Sequence, residues 1–546
     1  MCGILALLNT STINKIVLQN FQKGKQRGPE NSTINSYLKS IIFGFHRLAI
    51  NGLQEKDNQP LNVSNCVLIC NGEIYNFKYL YSLIDTKKFS DNDCEIIIHL
   101  YKKFGIQETL NLIDGVFGFT LLDIENKTLY VARDTFGVRP LFQMQKNFVY
   151  GFSTEMKMIV DFLPDKLDLF EPGTFSKFKL THITKLNKTL WIPEIQNQKF
   201  TTINNGIDYT IKTTEDAMSR IKNTLENAVE KRVGATDRPI ACLLSGGLDS
   251  SLITALVQKY LKDQKLQTFS IGLEGSEDLK YAKIVADYLK TDHHEIILTE
   301  KEFLSAIPRV IENIETYDTT TVRASVGNFL VSEYIKNNSE AKVIFNGDGS
   351  DEVCGGYIYF HAAPGSIDFD KECRRLLKDI HAFDVLRSDR SISSNGLEPR
   401  TPFLDKNFVQ TYLSIPPQLR CHNLQKNCEK YLLRKSFENS KLLPENILFR
   451  KKEAFSDGVS GLKRSWFQII QDHVKSDPLI QKRLKMPFTI PNSSWNEPLT
   501  DEQKYYRKLF NQYFKHYSKV IPYFWMPKFI EATDSSARTL KIYNIE

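Results

Sequence analysis

Over the first third of the chain, apolar and polar positions alternate in short runs. SIIFGFHRLAI (40–50), NCVLICNGEIYN (65–76), GVFGFTLLDI (115–124), TLYVARD (128–134) and FVYGFST (148–154) each read as a strand. Gly, Asn and Asp clusters separate them, as hairpin turns require. Two stretches, 14–25 and 93–104, carry helical spacing instead; in the second, Ile96, Ile97, Leu100 and Phe104 fall on one face. The pattern predicts an α+β sandwich of antiparallel sheets with a few helices over residues 2–190. Residues 191–214 are rich in Asn, Thr and Gln, hold no period, and read as a linker. From Glu215 the rhythm changes. IACLL (240–244) precedes a helix at 250–262, QTFSIG (267–272) precedes one at 278–290, and AKVIFNG (341–347) is a further strand. Strand–helix alternation predicts an α/β domain over 215–546, with a parallel sheet and many helices.

Composition narrows the class. A chain of 546 residues is too long for one core, and two to four domains are expected. The net charge of +7 is small for that length and no basic tract concentrates it, which argues against nucleic acid as a partner. No apolar run approaches the roughly 20 residues of a membrane span, and MCGILALL lacks the basic flank of a signal peptide. The nine cysteines are an odd number, scattered, and nowhere two residues apart, so reduced thiols in the cytoplasm are expected.

Three features carry chemistry. Cys2 becomes the first residue once Met1 is removed, which its small side chain permits. Its α-amine, with a pKa of about 8, then stands beside a thiol of about 8.5, so nucleophile and base share one residue. Ser245-Gly246-Gly247-Leu248-Asp249-Ser250 follows the 240–244 strand and opens a helix. The Gly-Lys-Ser/Thr ending of a Walker A loop is missing, but two glycines and a helix N-terminus suit an anion such as pyrophosphate. Asp249 could hold the accompanying Mg²⁺. An ordinary strand-to-helix turn is the bland alternative. Asp348, Asp351 and Glu352 lie just past the strand ending at Phe345, where open α/β sheets bind ligands; a solvated acidic turn would look the same. His293-His294 would point to opposite faces of a strand, which disfavours a metal site. The aromatic run at 505–517 reads as helix packing.

In this order along the chain, the motifs resemble those of the glutamine-hydrolysing asparagine synthetases. The first part carries MCGI, RGPE (27–30), HRLAI (46–50), NQPL (58–61), NGEIYN (71–76), DCE (93–95) and RDTFGVRPLF (133–142). The second carries SGGLDSS, ETYDTTTVRAS (315–325), GSDEVCGGYIYFHAAP (349–364), PFLD (402–405) and KEAFSDG (452–458). WMPKFIEATDSSARTL (525–540) is similar to the animal-type enzymes. The resemblance implies a Cys2-type glutamine amidotransferase domain followed by an ATP-pyrophosphatase-type synthetase domain. Cys2 would attack the glutamine amide, with Asn71 and the Gly72 N–H as oxyanion hole. Arg47, Glu73 and Asp93 would hold the amino-acid end, with Leu48, Ala49, Ile50 and Asn51 around it. Leu244, Ile271 and the 346–347 backbone (Asn346, Gly347) would contact ATP. Ser245, Gly246, Gly247, Asp249 and Ser250 would take its pyrophosphate. Thr320, Thr321, Arg323 and Asp351 would line the aspartate and adenylate site, Asp249 and Asp351 would hold Mg²⁺ through pyrophosphate, and Lys452 would offset charge on the phosphate.

One residue departs from the resemblance. Asp348 stands where the family has glutamate, so its reach is shorter by about 1.5 Å, roughly one C–C bond. A misplacement of about 1 Å can cost on the order of a hundredfold in rate. Asn346 replaces a serine at a position that acts through its backbone. Three functions remain open: asparagine synthesis fed by glutamine, another ATP-dependent amide-forming enzyme such as a β-lactam synthetase, and a synthetase-dead relative kept for binding or regulation. The intact glutaminase set opposes the second, and the 245–250 loop, Lys452 and Asp351 oppose the third. A phosphoribosyl or sugar amidotransferase would lack that loop. A homodimer is left open.

Overall fold

The computed structural model describes residues 1–203, 206–261, 265–422, 427–486 and 495–544. They form two compact units. The first comprises residues 1–202 with the short stretches 235–238 and 393–397; the second comprises 203–234, 239–392 and 398–546.

Two antiparallel six-stranded sheets build the first unit. One runs in the order Lys166–Leu169, Phe142–Lys146, Val149–Ser153, Gly3–Leu8, Ile41–Arg47, Asn31–Tyr37. The other runs Lys188–Lys199, Thr174–Ile183, Thr128–Arg133, Gly115–Asp123, Cys66–Ile74, Leu61–Val63. Side chains alternate between strand faces, and the burial follows that period. Ile4, Ala6, Phe43, Phe45, Val67, Ile69 and Val131 fill the space between the sheets. Leu68, Cys70, Phe119 and Leu121 face the other way, onto the helices Phe77–Ile84 and Ile96–Leu112. The expected sandwich is therefore present.

Two details differ from expectation. Residues 191–199, read as linker, belong to the edge strand Lys188–Lys199, with Trp191 fully buried and its indole N–H on Ser40 Oγ at 2.9 Å. An edge strand tolerates Pro193, and a bulge opposite Phe175–Phe178 with Asn197 at φ +49° breaks the two-residue period. Asn204 and Asn205, also within the expected linker, lie outside the described residues, and Thr213 caps the helix Thr214–Val233. Phe104, assigned to the buried face of its helix, is 45% exposed. Gly105 at φ +79° kinks the helix at the next residue and turns Phe104 outward.

Five parallel strands make the sheet of the second unit, in the order Asp292–Leu298, Gln267–Leu273, Ile240–Leu243, Val343–Phe345, Glu398–Arg400. The helices Leu248–Leu261 and Glu277–Leu289 follow the strands expected to precede them; Lys262, included in the first expected helix, lies outside the described residues. From Ile240–Leu243 the chain winds one way to Gln267–Leu273 and later the other way to Val343–Phe345. The strand order thus reverses between Leu243 and Phe345, which opens a crevice at the carboxyl ends of these strands. The loops 244–250 and 346–352 emerge there. His293 and His294 face opposite sides as expected: His293 bonds to the Thr268 and Ser270 hydroxyls, and His294 stacks on Phe269. Tyr505, Tyr506 and Phe510 are buried along the helix Asp501–Tyr513, in keeping with a packing role. Among the described residues no helix is long and apolar enough to cross a membrane.

Candidate active sites

In the first unit, Cys2 lies one residue ahead of Gly3–Leu8, whose pairing with Ile41–Arg47 brings the start of the chain beside the 46–50 segment. Its thiol is 3.7 Å from the Leu48 carbonyl oxygen, and its backbone N–H donates to Asn71 Oδ1 at 3.0 Å. Asn71 is fully buried on Cys66–Ile74, and its Nδ2 has no hydrogen-bond partner among the described residues. A buried idle donor costs stability unless a ligand oxygen takes it, and here its residue is bonded to Cys2. Gly72 admits no side chain, since a Cβ would come within 2.5 Å of the Val116 carbonyl oxygen.

The remaining expected groups are each held by defined partners. Asp93 accepts the Ile74 N–H at 2.7 Å, and Glu73 accepts from Asn51 Nδ2 at 2.6 Å. Arg47 is buried and reaches Asn58 Oδ1 at 2.7 Å and the carbonyls of Gln54 and Gly52. Burial lowers its pKa, while Cys2, Asp57 and Glu30 favour its charge. Leu48, Ala49 and Ile50 are buried, and their backbone is fixed by Glu30 on the Ala49 N–H, Arg238 on the Ala49 carbonyl and Asp237 on the Ile50 carbonyl. Arg47 lies close enough to Cys2 for their charges to interact, and Glu73 and Asp93 are held at the same end of the strand that carries Asn71.

In the second unit a cavity opens at the crevice. Leu244, Ser245, Gly247, Asp249, Ser250, Ile271, Thr320, Thr321, Asn346, Gly347, Asp348, Asp351 and Lys452 all line it, so most of the expected set converges. The loop is tied by its own hydroxyls: Ser250 Oγ accepts the Ser245 N–H at 3.2 Å and lies 3.0 Å from Ser245 Oγ. A Cβ on Gly347 would sit 2.7 Å from Asp249 Cβ, so only glycine lets the two loops meet. At their junction Ser350 donates to Asp249 Oδ1 at 2.8 Å.

Charge in this cavity is paired. Lys430 Nζ bridges Asp249 Oδ2 and Asp351 Oδ1, each at 2.5 Å, and Lys452 Nζ lies 2.6 Å from Asp351 Oδ2 and 3.8 Å from Asp249 Oδ2. Burial works against ionisation of Asp351, but the two lysines outweigh it and hold its carboxyl well below the usual range. A second group forms around Arg387, which donates to Asp348 Oδ1 at 2.8 Å and to Asp384. Asp348 Oδ2 is buried and has no partner among the described residues. Burial, together with Asp384 and Asp351, pushes the Glu352 carboxyl far up, and burial also raises Asp384.

Two expected residues do not reach the cavity. Gly246, at φ +72°, packs against the helix Glu277–Leu289, where a Cβ would lie 2.3 Å from the Ala282 nitrogen. Its role is to shape the loop. Arg323 points away altogether: it forks onto Glu502 and Asp534 at 2.6–2.9 Å, with its guanidinium 4.8 Å from the Phe467 ring centre. The reason is helical phase. Thr320, Thr321, Ala324, Asn328 and Val331 form one stripe facing the cavity, and position 323 lies outside it. Lys430, Arg387, Asp384 and Arg450 line the cavity without having been singled out. Lys430 meets Asp249 from 181 residues away, and no local motif announces it. Among the described residues no three His, Cys, Asp or Glu side chains cluster as a metal site.

An antiparallel sandwich with Cys2 beside an idle amide, and a parallel-sheet unit with a glycine-rich loop at its switch point, fit a class: an amidotransferase carried on the same chain as a nucleotide-binding synthase. Family models divide the chain the same way. A glutamine amidotransferase domain matches residues 1–206, and asparagine synthase matches 220–368 and 364–523. Aligned over 573 residues, the chain is 42% identical to the asparagine synthetase [glutamine-hydrolyzing] of Gallus gallus, covering 100% of this chain and 99% of the relative. Identity to the protein of the same name from Homo sapiens is 41% over 574 residues, with the same coverage. The chain belongs to the glutamine-hydrolysing asparagine synthetases.

Proposed function

We propose that the first unit hydrolyses glutamine at Cys2 and that the second converts aspartate and ATP into asparagine, AMP and pyrophosphate, using the ammonia released. The observation that carries this reading is the coexistence, on one chain, of the Cys2–Asn71 pair and the lysine-bridged carboxylates at the strand-end cavity. With Met1 removed, the α-amine takes the thiol proton and the sulfur attacks the glutamine amide carbon. Asn71 Nδ2 and the Gly72 N–H hold the oxyanion, a contribution of about 3 kcal/mol per donor in comparable acyl transfers. The proton passes to the departing nitrogen, which leaves as ammonia, and water then releases glutamate from the thioester.

In the second unit, an aspartate side-chain carboxylate attacks the α-phosphorus, pyrophosphate leaves, and ammonia displaces AMP from the mixed anhydride. Ser245, Gly247, Ser250 and the helix N-terminus receive the pyrophosphate end, and Lys452 offsets charge on the phosphate. Asp249 and Asp351 offer the hard carboxylate oxygens that Mg²⁺ takes, and a polyphosphate would complete its shell. Bound there, the ion would neutralise phosphate charge. Asp348, with one oxygen on Arg387 and the other idle, would accept the proton that ammonia loses as the amide forms. A cytoplasmic setting is supported by cysteines of which no two are bridged among the described residues.

The test is asparagine formation from aspartate and ATP-Mg²⁺ with glutamine or ammonium as donor. Cys2→Ala is expected to abolish the glutamine-driven reaction and leave the ammonium-driven one intact. Glutamate release without asparagine or pyrophosphate would mean that Asp348 does not replace the glutamate and that the synthetase half is silent.

A further inference from the structure

The segment bearing Lys452 has no regular structure to hold it. Residues 451–454 are in neither helix nor strand, and Lys451, Lys452, Glu453 and Ala454 all line the cavity. The C-terminal stretch 525–536 is equally irregular, followed only by the short turns Ala537–Thr539 and Lys541–Asn544. Yet the two runs meet at both neighbours of Lys452 and at Asp457. Arg538 Nε donates to Glu453 Oε1 at 2.8 Å, and the Tyr543 hydroxyl donates to Glu453 Oε2 at 2.7 Å. Lys451 Nζ donates to the Tyr543 carbonyl at 2.7 Å and lies over its ring. Ser536 Oγ donates to the buried Asp457 at 2.8 Å, and Arg538 also reaches the Gly461 carbonyl at 3.0 Å. The stretch is anchored in turn on the helix that carries Thr320 and Thr321: Asp534 takes the Arg323 fork, and the Trp525 N–H donates to Asp318, the cap of that helix.

We propose that residues 525–543 are a positioning strap, which presents Lys452 to the Asp249–Asp351 pair before any nucleotide arrives. The residues on either side of Lys452 are both fixed by this stretch, while the lysine itself is left to the cavity. Arg538, Tyr543 and Ser536 touch no reacting group; they act through Glu453, Lys451 and Asp457. Arg323 finds its place in the same scheme, as the far anchor of the strap. The inference rests on reading the cavity as the adenylation site, so one readout is independent of turnover.

Three variants of the full chain test it: deletion of 538–546, Arg538→Lys and Tyr543→Phe. Each is assayed for aspartate-dependent pyrophosphate release with ammonium, for glutamine hydrolysis, and for backbone amide exchange over 450–458 without ligand. The strap predicts that the deletion lowers kcat for pyrophosphate release at least about tenfold, within the roughly hundredfold that about 1 Å of misplacement can cost, with KM for ATP and glutamine hydrolysis within about twofold. Exchange over 450–458 should quicken, and the two point variants should fall between the parent and the deletion on both measures. Unchanged exchange overturns the strap, and so does faster exchange with unchanged kcat. If the deletion does not fold, the point variants carry the same two readouts. A parent that releases no pyrophosphate would overturn the adenylation reading, while exchange still decides the strap.

Discussion

Four charged side chains meet in the cavity of the second unit with little water to screen them. Lys430 is the most enclosed, its side chain 1% exposed, yet burial fails to neutralise it because Asp249 and Asp351 hold its proton more firmly. Lys452 has the same partners but is 15% exposed, so it can trade them for a ligand at lower cost. The two lysines therefore differ, one locked onto the carboxylates and the other more open to the cavity. Lys430→Met leaves two part-buried carboxylates with only the more exposed Lys452 between them, a loss below the about 3–5 kcal/mol of breaking a fully buried pair. Unfolding of the second unit in urea is expected at a midpoint lower by an equivalent of about 1–3 kcal/mol, with unchanged m. A midpoint equal to the parent's would mean that water, not the lysine, balances Asp249 and Asp351.

Among the elements, the strand–loop–helix at 240–261 depends most on one backbone angle. Gly246 at φ +72° lies against the helix Glu277–Leu289, so Gly246→Ala meets both the left-handed penalty of about 1–2 kcal/mol and a clash. The loop must open to relieve it. ATP-dependent pyrophosphate release is expected to fall at least about a hundredfold while glutamine hydrolysis holds, since displacement by about 1 Å suffices for such a loss; equal loss of both activities would point to general unfolding instead. Elements with a clean period were legible from the residues alone, as with Cys66–Ile74, whose alternate positions face two different cores. Lys188–Lys199 was not, because an edge strand with a bulge follows neither period. The site followed the same rule. Contiguous motifs such as 245–250 and 346–352 announced themselves, whereas Lys430 and Arg387 join only through the fold, and the phase of Arg323 on its helix showed only in three dimensions.

At the scale of the molecule, two units with separate cores are expected to unfold in more than one step. ATP with aspartate should raise only the transition of the second unit and an inert glutamine analogue only that of the first, each by an amount set by ligand concentration over Kd. Calorimetry with each ligand separately checks this, and a single transition moved equally by both would contradict it. The path of the chain carries a different consequence. The first unit includes Ser393–Leu397, and the Ser393 hydroxyl lies 2.7 Å from Nη1 of the fully buried Arg27. A ribosome adding about 5–20 residues per second needs roughly ten to forty seconds to travel from Thr202 to Leu397. During that interval the amidotransferase sandwich hangs from the exit tunnel with its buried arginine short of a partner. Birth and completion therefore part company for the first unit: begun before the second, it is finished only after much of the second has been made.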